Sequence, residues 1–217
     1  MTPAARRLTN ESLLAGTRAL CERDADFAGV VARLGPPPLW GRPTGFATLV
    51  RIILEQQVSL AAARTMFLRL QSHAGGVTPE TIGRLGVDGL RRVGLTRQKA
   101  SYIHGLAVGV QSGAIDLSAI ARAKDETGRN ALLAVRGLGA WSVDIYYLMA
   151  LRRPDVWPHG DLALAQAAHQ VKRLRARPDH ERLTRMAAAW APWRSIAARI
   201  LWHHYLSPEF APRRSGA

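Results

Sequence analysis

The stretch LAVRGLGAWSVDIYYLMALRRPDVWPHGD, Leu133–Asp161, decides how this chain is read. One helix ends near Val135, Gly137-Leu138-Gly139 turns the chain, and a second helix starts at Ala140. A lone acid, Asp161, stands just past the far end of that second helix. Glycine tolerates positive φ, and its missing side chain lets a phosphate reach the backbone. A turn at Gly137 and Gly139 aims the N–H groups at the start of the next helix, Ala140 first, at an anion. Leu138 is expected to anchor the turn by pointing into the core. The same pattern fits a bare turn between packed helices, so the residues leave both roles open. As a device, the order suits gripping a nucleic-acid backbone while one carboxylate is held over a sugar.

At 217 residues the chain can bury a core as one domain or two small lobes. Its formal net charge is +14, and all but three of its 30 basic residues are arginines, the exceptions being Lys99, Lys124 and Lys172. The planar fork of arginine matches phosphate, whereas lysine acts as a point charge. Such a balance favours polyanions, most often nucleic acid. A genome rich in Arg, Ala and Gly codons gives the same balance. The single cysteine, Cys21, excludes an internal disulfide and any four-cysteine iron–sulfur or zinc site. No apolar run approaches the roughly 18 residues that span a bilayer. The start, MTPAARRLTNESLL, lacks the apolar centre of a signal peptide. A soluble, cytoplasmic protein is expected.

Periodicity predicts helices nearly throughout and no convincing strand. Thr9 or Asn10 caps a first helix bearing Leu13, Leu14, Thr17, Leu20 and Cys21, and a second carries Phe27, Val30, Val31 and Leu34. Residues 35–45, GPPPLWGRPTG, form a loop or linker. Helices are expected from Phe46 to about Gln56, over Leu60–His73, and from Thr78-Pro79 with proline in the first turn. Further helices follow after Asp161, and the tail beyond Pro208 should fray. The order helix, Gly turn, helix in LRRVGLTRQKASYI (90–103) weakly echoes that in LLAVRGLGAWSVDIYY (132–147).

Several residues carry two readings. Asp161 directly precedes LALAQAA and can cap that helix, a role compatible with catalysis. The aromatics Trp141, Tyr146, Tyr147, Trp157, Trp193 and Trp40 either stack on a base or fill a helical core, and Trp202 and Tyr205 suit the core. Arg194 can pair with a buried acid or carbonyl instead of DNA. His159 is a loop residue, a neighbour that tunes Asp161, or a phosphate contact. The remaining histidines show no metal-ligand spacing.

Val135-Arg136-Gly137-Leu138-Gly139-Ala140-Trp141-Ser142, with its spacing to Gly160-Asp161-Leu162-Ala163-Leu164, resembles the helix–hairpin–helix superfamily of DNA glycosylases. Three further segments resemble its DNA-3-methyladenine glycosylase II (AlkA-type) branch: Ile53–Ser59, Gly94–Ala100, and Trp190-Ala191-Pro192-Trp193-Arg194-Ser195. Together the four span about residues 25–206 in the right order.

The resemblance implies an all-α fold of two helical lobes, 46–150 with the hairpin and 1–45 plus 151–217, with an active-site cleft between them. It implies Asp161 as the catalytic carboxylate facing the anomeric carbon of a flipped nucleotide. Bifunctional members hold a lysine where this chain has Trp141, so hydrolysis without lyase chemistry is implied. Gln57 falls where a wedge enters the duplex, in place of the leucine many relatives carry, with Gln56 buttressing it. Trp193 matches the stacking tryptophan, and Trp141 and Tyr146 complete the expected base pocket. Gly137, Gly139, Ala140 and Lys99 are expected to meet DNA phosphates. The backbone carbonyls of Leu133, Val135 and Leu138 would hold an alkali ion, and no cofactor is required. Gly160 replaces the second acid that some AlkA-type members carry, and the β-rich domain of larger relatives has no room before residue 25. The expected partner is double-stranded DNA with alkylated bases, met by a monomer at the nucleoid. Expected substrates are 3-methyladenine and 7-methylguanine, with ethenoadenine or hypoxanthine as further candidates. Two other functions fit the same residues: a glycosylase of this fold for a mismatched adenine or uracil, and a non-catalytic DNA-binding module.

Overall fold

The computed structural model describes residues 7–208 and 210. Among these it has twelve α-helices, one π-helical turn and no strand. In chain order the helices are α1 (Asn10–Arg23), α2 (Ala25–Leu34), α3 (Phe46–Glu55), α4 (Leu60–Ala74), α5 (Pro79–Arg92) and α6 (Arg97–Gln111). They continue as α7 (Leu117–Arg122), α8 (Asp125–Leu133), α9 (Ala140–Ile145), α10 (Leu162–Val171), α11 (His180–Ala188) and α12 (Arg194–Leu206). The expectation for the tail falls, apart from Phe210, outside the described residues.

Local chemistry sets most helix starts. Thr9, Asp24, Ser59, Thr78, Thr96, Asp116, Asp161 and Asp179 each stand at an N-cap and accept a backbone N–H from the first turn. Each such cap is worth about 1 kcal/mol. The helix after the second hairpin departs from the sequence expectation. It is α-helical for only six residues, Ala140–Ile145, and then widens into a π turn over Tyr146–Ala150. Leu151 N–H reaches back five residues to the Tyr146 carbonyl, while the Met149 carbonyl is taken by Arg42 N–H.

The chain forms two compact units, Arg42–Leu151 and, among described residues, 7–41 with 152–208 and 210. In the first, α3 is buried over most of its surface, with Phe46, Leu49, Val50, Ile52, Ile53 and Leu54 inside. Such a helix belongs at a centre, and α4, α6, α9 and the π turn pack on it. Its one buried acid, Glu55, is held by a forked pair of bonds from Arg42 at 2.8 and 2.9 Å and by Arg51 at 3.2 Å. A buried carboxylate needs such partners.

In the second unit α12 is the centre, contacted by α1, α2, α10 and α11. Ile196, Ala197, Ala198, Ile200 and Leu201 are fully buried. So is Arg199, whose guanidinium donates to the carbonyls of Ser195 and Trp40. Burial, with Arg152 nearby, pushes its pKa down to about 10. Gly16 lets α1 approach so closely that a Cβ there would stand 2.3 Å from Ile196 and 2.9 Å from the Trp193 indole.

Candidate active site and nucleic-acid interface

Asp161 is nearly buried at the start of α10, in the second unit. Its Oδ1 accepts Leu164 N–H at 2.8 Å and faces the Trp202 indole N–H at 3.4 Å. The carboxylate therefore caps its helix and is oriented by a second donor from α12. A pocket of about 280 Å³ opens beside it within the same unit, lined among others by Leu162, Arg177, Asp179, His180 and Leu183. The His159 ring lies 3.6 Å from the His180 ring, centroid to centroid.

The approach to Asp161 is pinned by α12. Arg194 grips the Asp155 carboxylate with a forked pair at 2.7 and 2.8 Å. Ser195 receives Val156 N–H at 2.9 Å and sends its own N–H to the Pro154 carbonyl at 3.0 Å. Thus Arg194 serves an acid of its own chain, and Arg194 and Ser195 fix the segment that leads to Asp161. Trp193 itself is half-buried against Gly16 at the head of α12.

The hairpin lies in the first unit. Gly137 has φ +96°, and Leu138 behind it is buried. The turn closes through Leu138 N–H to the Val135 carbonyl at 3.0 Å. Gly139 caps α9 without any side-chain bond, so the first N–H groups of that helix, from Ala140 on, are not met by a side-chain cap. Trp141, the second residue of α9, is half-buried. The Leu133 carbonyl belongs to the last turn of α8, where carbonyls lack helical partners. Leu133, Val135 and Leu138 thus offer neutral backbone oxygens, the donor type that replaces water around a monovalent cation. Among the described residues no three His, Cys, Asp or Glu side chains gather as metal ligands.

The geometry bears on four of the expected site residues. Gln56 is turned inward, where it buttresses its loop: its amide donates to the Gly137 carbonyl at 2.8 Å and the Ser142 hydroxyl at 2.9 Å. Gln57 is exposed at the tip, in a left-handed conformation with φ +57°. The Lys99 ammonium, expected to meet phosphate, is engaged within the fold, donating to the carbonyls of Leu54 at 2.8 Å and Gln56 at 3.0 Å. Tyr146 is only 1% exposed and its hydroxyl accepts Gly45 N–H at 3.0 Å, which leaves no face for an incoming base. Burial pushes its phenol pKa up.

Residues 50–193 match the family model of the HhH-GPD superfamily of base excision DNA repair proteins. The chain belongs to that superfamily. It is 28% identical over 161 residues to DNA-3-methyladenine glycosylase 1 of Schizosaccharomyces pombe, covering 72% of this chain and 71% of that protein. YfjP of Bacillus subtilis is 29% identical over 163 residues, and the chain spans 56% of its length. Among solved structures, the DNA-3-methyladenine glycosidase of Bacillus halodurans superposes with TM-score 0.73 at 28% identity, covering 86% of this chain and 87% of that one. The S. pombe enzyme Mag1, solved with abasic DNA, shares the fold with TM-score 0.83 at 24% identity, covering 91% of this chain.

The Gly137-Leu138-Gly139 turn and Asp161 stand out in the sequence, but the groups around Asp161 are less legible. Trp202 reaches Asp161 from 41 positions away. Asp155 and Ser195 fix the approach segment from opposite sides of α10 and α11 in the chain. His180, at the head of α11, brings its ring to 3.6 Å from that of His159 at a tilt of 53°. Of these only Ser195, at the end of the Trp190–Ser195 segment, gives a signal in advance.

Proposed function

We propose that this chain is a monofunctional DNA glycosylase of base excision repair. It binds double-stranded DNA as a monomer at the nucleoid and hydrolyses the N-glycosidic bond of alkylated purines. The names of its relatives support 3-methyladenine as a substrate. The single observation that carries the reading is Asp161, a nearly buried carboxylate fixed by a helix N–H and an indole N–H beside an open pocket.

As the bond from the sugar to the base breaks, its electron pair leaves with the base and positive charge develops on the sugar. A fixed carboxylate at Asp161 stabilises that charge and orients the attacking water, whose oxygen joins the anomeric carbon as its proton is released. An alkylated, cationic purine leaves readily, so no dedicated general acid is needed. Trp141 offers no amine, which leaves Schiff-base lyase chemistry without a nucleophile. Trp193 of the second unit and Trp141 of the first are the indoles proposed to stack on the base, and an electron-poor cationic base gains most from indole. Gln57 enters the duplex behind the flipped nucleotide, flanked by the exposed apolar side chains of Val58 and Leu60. The hairpin at Gly137, Gly139 and Ala140 grips phosphate, and an alkali ion on the carbonyls of Leu133, Val135 and Leu138 would add positive charge there. The arginine-rich surface supplies the remaining, salt-sensitive affinity.

The test is chromatography of bases freed from methylated duplex DNA. Release of 3-methyladenine is expected. Salt-sensitive duplex binding with no base released from any lesion would make the chain a binding module. Release of adenine or uracil from mismatches alone would reassign its substrate.

A further inference from the structure

The turn that carries Gln57 has only four residues, 56–59, to reverse the chain from α3 into α4. The last four carbonyls of α3 lack helical partners. Gln56 N–H meets the Ile53 carbonyl at 3.4 Å, a weak closure. Gln57 then adopts φ +57°, a left-handed conformation that is strained for a non-glycine residue. Something outside the turn must hold it, and the molecule supplies one cation for the purpose.

The Lys99 ammonium sits across the end of α3 and donates to the Leu54 and Gln56 carbonyls, 2.8 and 3.0 Å away. A cation there matches the negative end of α3. Its own position is unfavourable by the same rule: Lys99 lies in the first turn of α6, near that helix's positive end, and is half-buried. Burial pushes its amine below the ordinary lysine value. A solvent-facing phosphate contact has no need of such a place.

The bracing continues past Lys99. With its backbone held by the lysine, Gln56 spends its amide on Gly137 and Ser142, tying the turn to the hairpin. One turn further along α6, Tyr102 lies so close to Gly137 that a Cβ there would meet its ring at 2.4 Å. Gln98 donates to the Tyr102 hydroxyl at 2.8 Å. The first two turns of α6 are therefore a common template for the Gln57 turn and the phosphate-gripping hairpin.

We propose that Lys99 is a positioning residue that sets the Gln57 turn for insertion into the duplex, acting through Gln56, and makes no phosphate contact. This rests on the glycosylase reading above. The test compares wild type, Lys99→Met and Lys99→Arg in three measurements. They are single-turnover base release from methylated duplex, fluorescence of 2-aminopurine next to the flipped site, and the salt dependence of binding to undamaged duplex. Lys99→Met is expected to slow release by about tenfold to hundredfold, the penalty for misplacing a group by roughly 1 Å. The 2-aminopurine signal should fall with it, the salt dependence should stay that of wild type, and Lys99→Arg should restore most of the rate. Loss of about one unit of salt slope in Lys99→Met would overturn the proposal by making Lys99 a phosphate contact. Wild-type release and fluorescence in Lys99→Met would overturn it as well. Should Lys99→Met not melt cooperatively, Lys99→Gln takes the same measurements. If wild type frees no base, the glycosylase reading fails while the 2-aminopurine arm still decides the role of Lys99.

Discussion

Two hairpins of the first unit, α5–α6 and α8–α9, share a turn geometry and differ in how the following helix is capped. The α5–α6 turn passes through Gly94 at φ +98°, and the α8–α9 turn through Gly137 at φ +96°. Each glycine is followed by a buried leucine, Leu95 or Leu138. The next residue separates them. Thr96 closes its own helix, accepting Lys99 N–H at 3.3 Å, whereas Gly139 offers α9 no side-chain acceptor. The first hairpin satisfies itself and carries Lys99 as a brace. The second leaves the start of α9 without a side-chain cap, the feature on which the proposed phosphate grip rests.

The largest expected effect separates the two glycines. Alanine at either position faces about 1–2 kcal/mol of left-handed strain. At Gly94 the nearest atom is the mobile end of Arg69 at 3.1 Å, while at Gly137 it is the Tyr102 ring at 2.4 Å. Overpacking adds about 1–3 kcal/mol at Gly137 alone. Denaturant unfolding should therefore rank Gly137→Ala well below Gly94→Ala, with DNA affinity lost only in the former. Equal destabilisation would break the comparison.

A smaller effect comes from making the second hairpin resemble the first. Nothing lies within 4 Å of a Cβ at Gly139, so aspartate fits there. Gly139→Asp should gain a few tenths of a kcal/mol in stability and weaken duplex binding about tenfold, the factor that 1.4 kcal/mol gives. The reciprocal change, Thr96→Ala, should cost about 1 kcal/mol of stability and leave duplex affinity unchanged in a fluorescence titration. A loss of affinity in Thr96→Ala would put the first hairpin on DNA too.

The hairpins also show what a sequence exposes. Thr9, Thr78, Thr96 and Asp161 announce helix starts because capping is a matter of three neighbouring residues. Gly94 and Gly137 announce turns because few residues accept their backbone. The echo between 90–103 and 132–147 is a real repeat of conformation. The bracing contacts of Lys99 are not legible in the sequence because its acceptors stand more than 40 positions away, and a lysine beside a turn looks the same whether it faces solvent or a carbonyl. Tyr146 was misread because a buried aromatic and a pocket aromatic share one hydropathy, and the π turn that buries it leaves no periodic signature in five residues. Trp202 read as core, which it is, yet its N–H reaches Asp161.

Asparagine at Asp161 keeps an oxygen for Leu164 N–H and so preserves the cap while removing the charge. The decisive measurement is the single-turnover rate of 3-methyladenine release by wild type and Asp161→Asn at equal DNA occupancy. The account predicts a loss of about 10²–10³-fold, the scale on which one electrostatic stabiliser acts, with melting temperature and duplex affinity unchanged. Release by Asp161→Asn at the wild-type rate would contradict it and leave Asp161 as a helix cap alone.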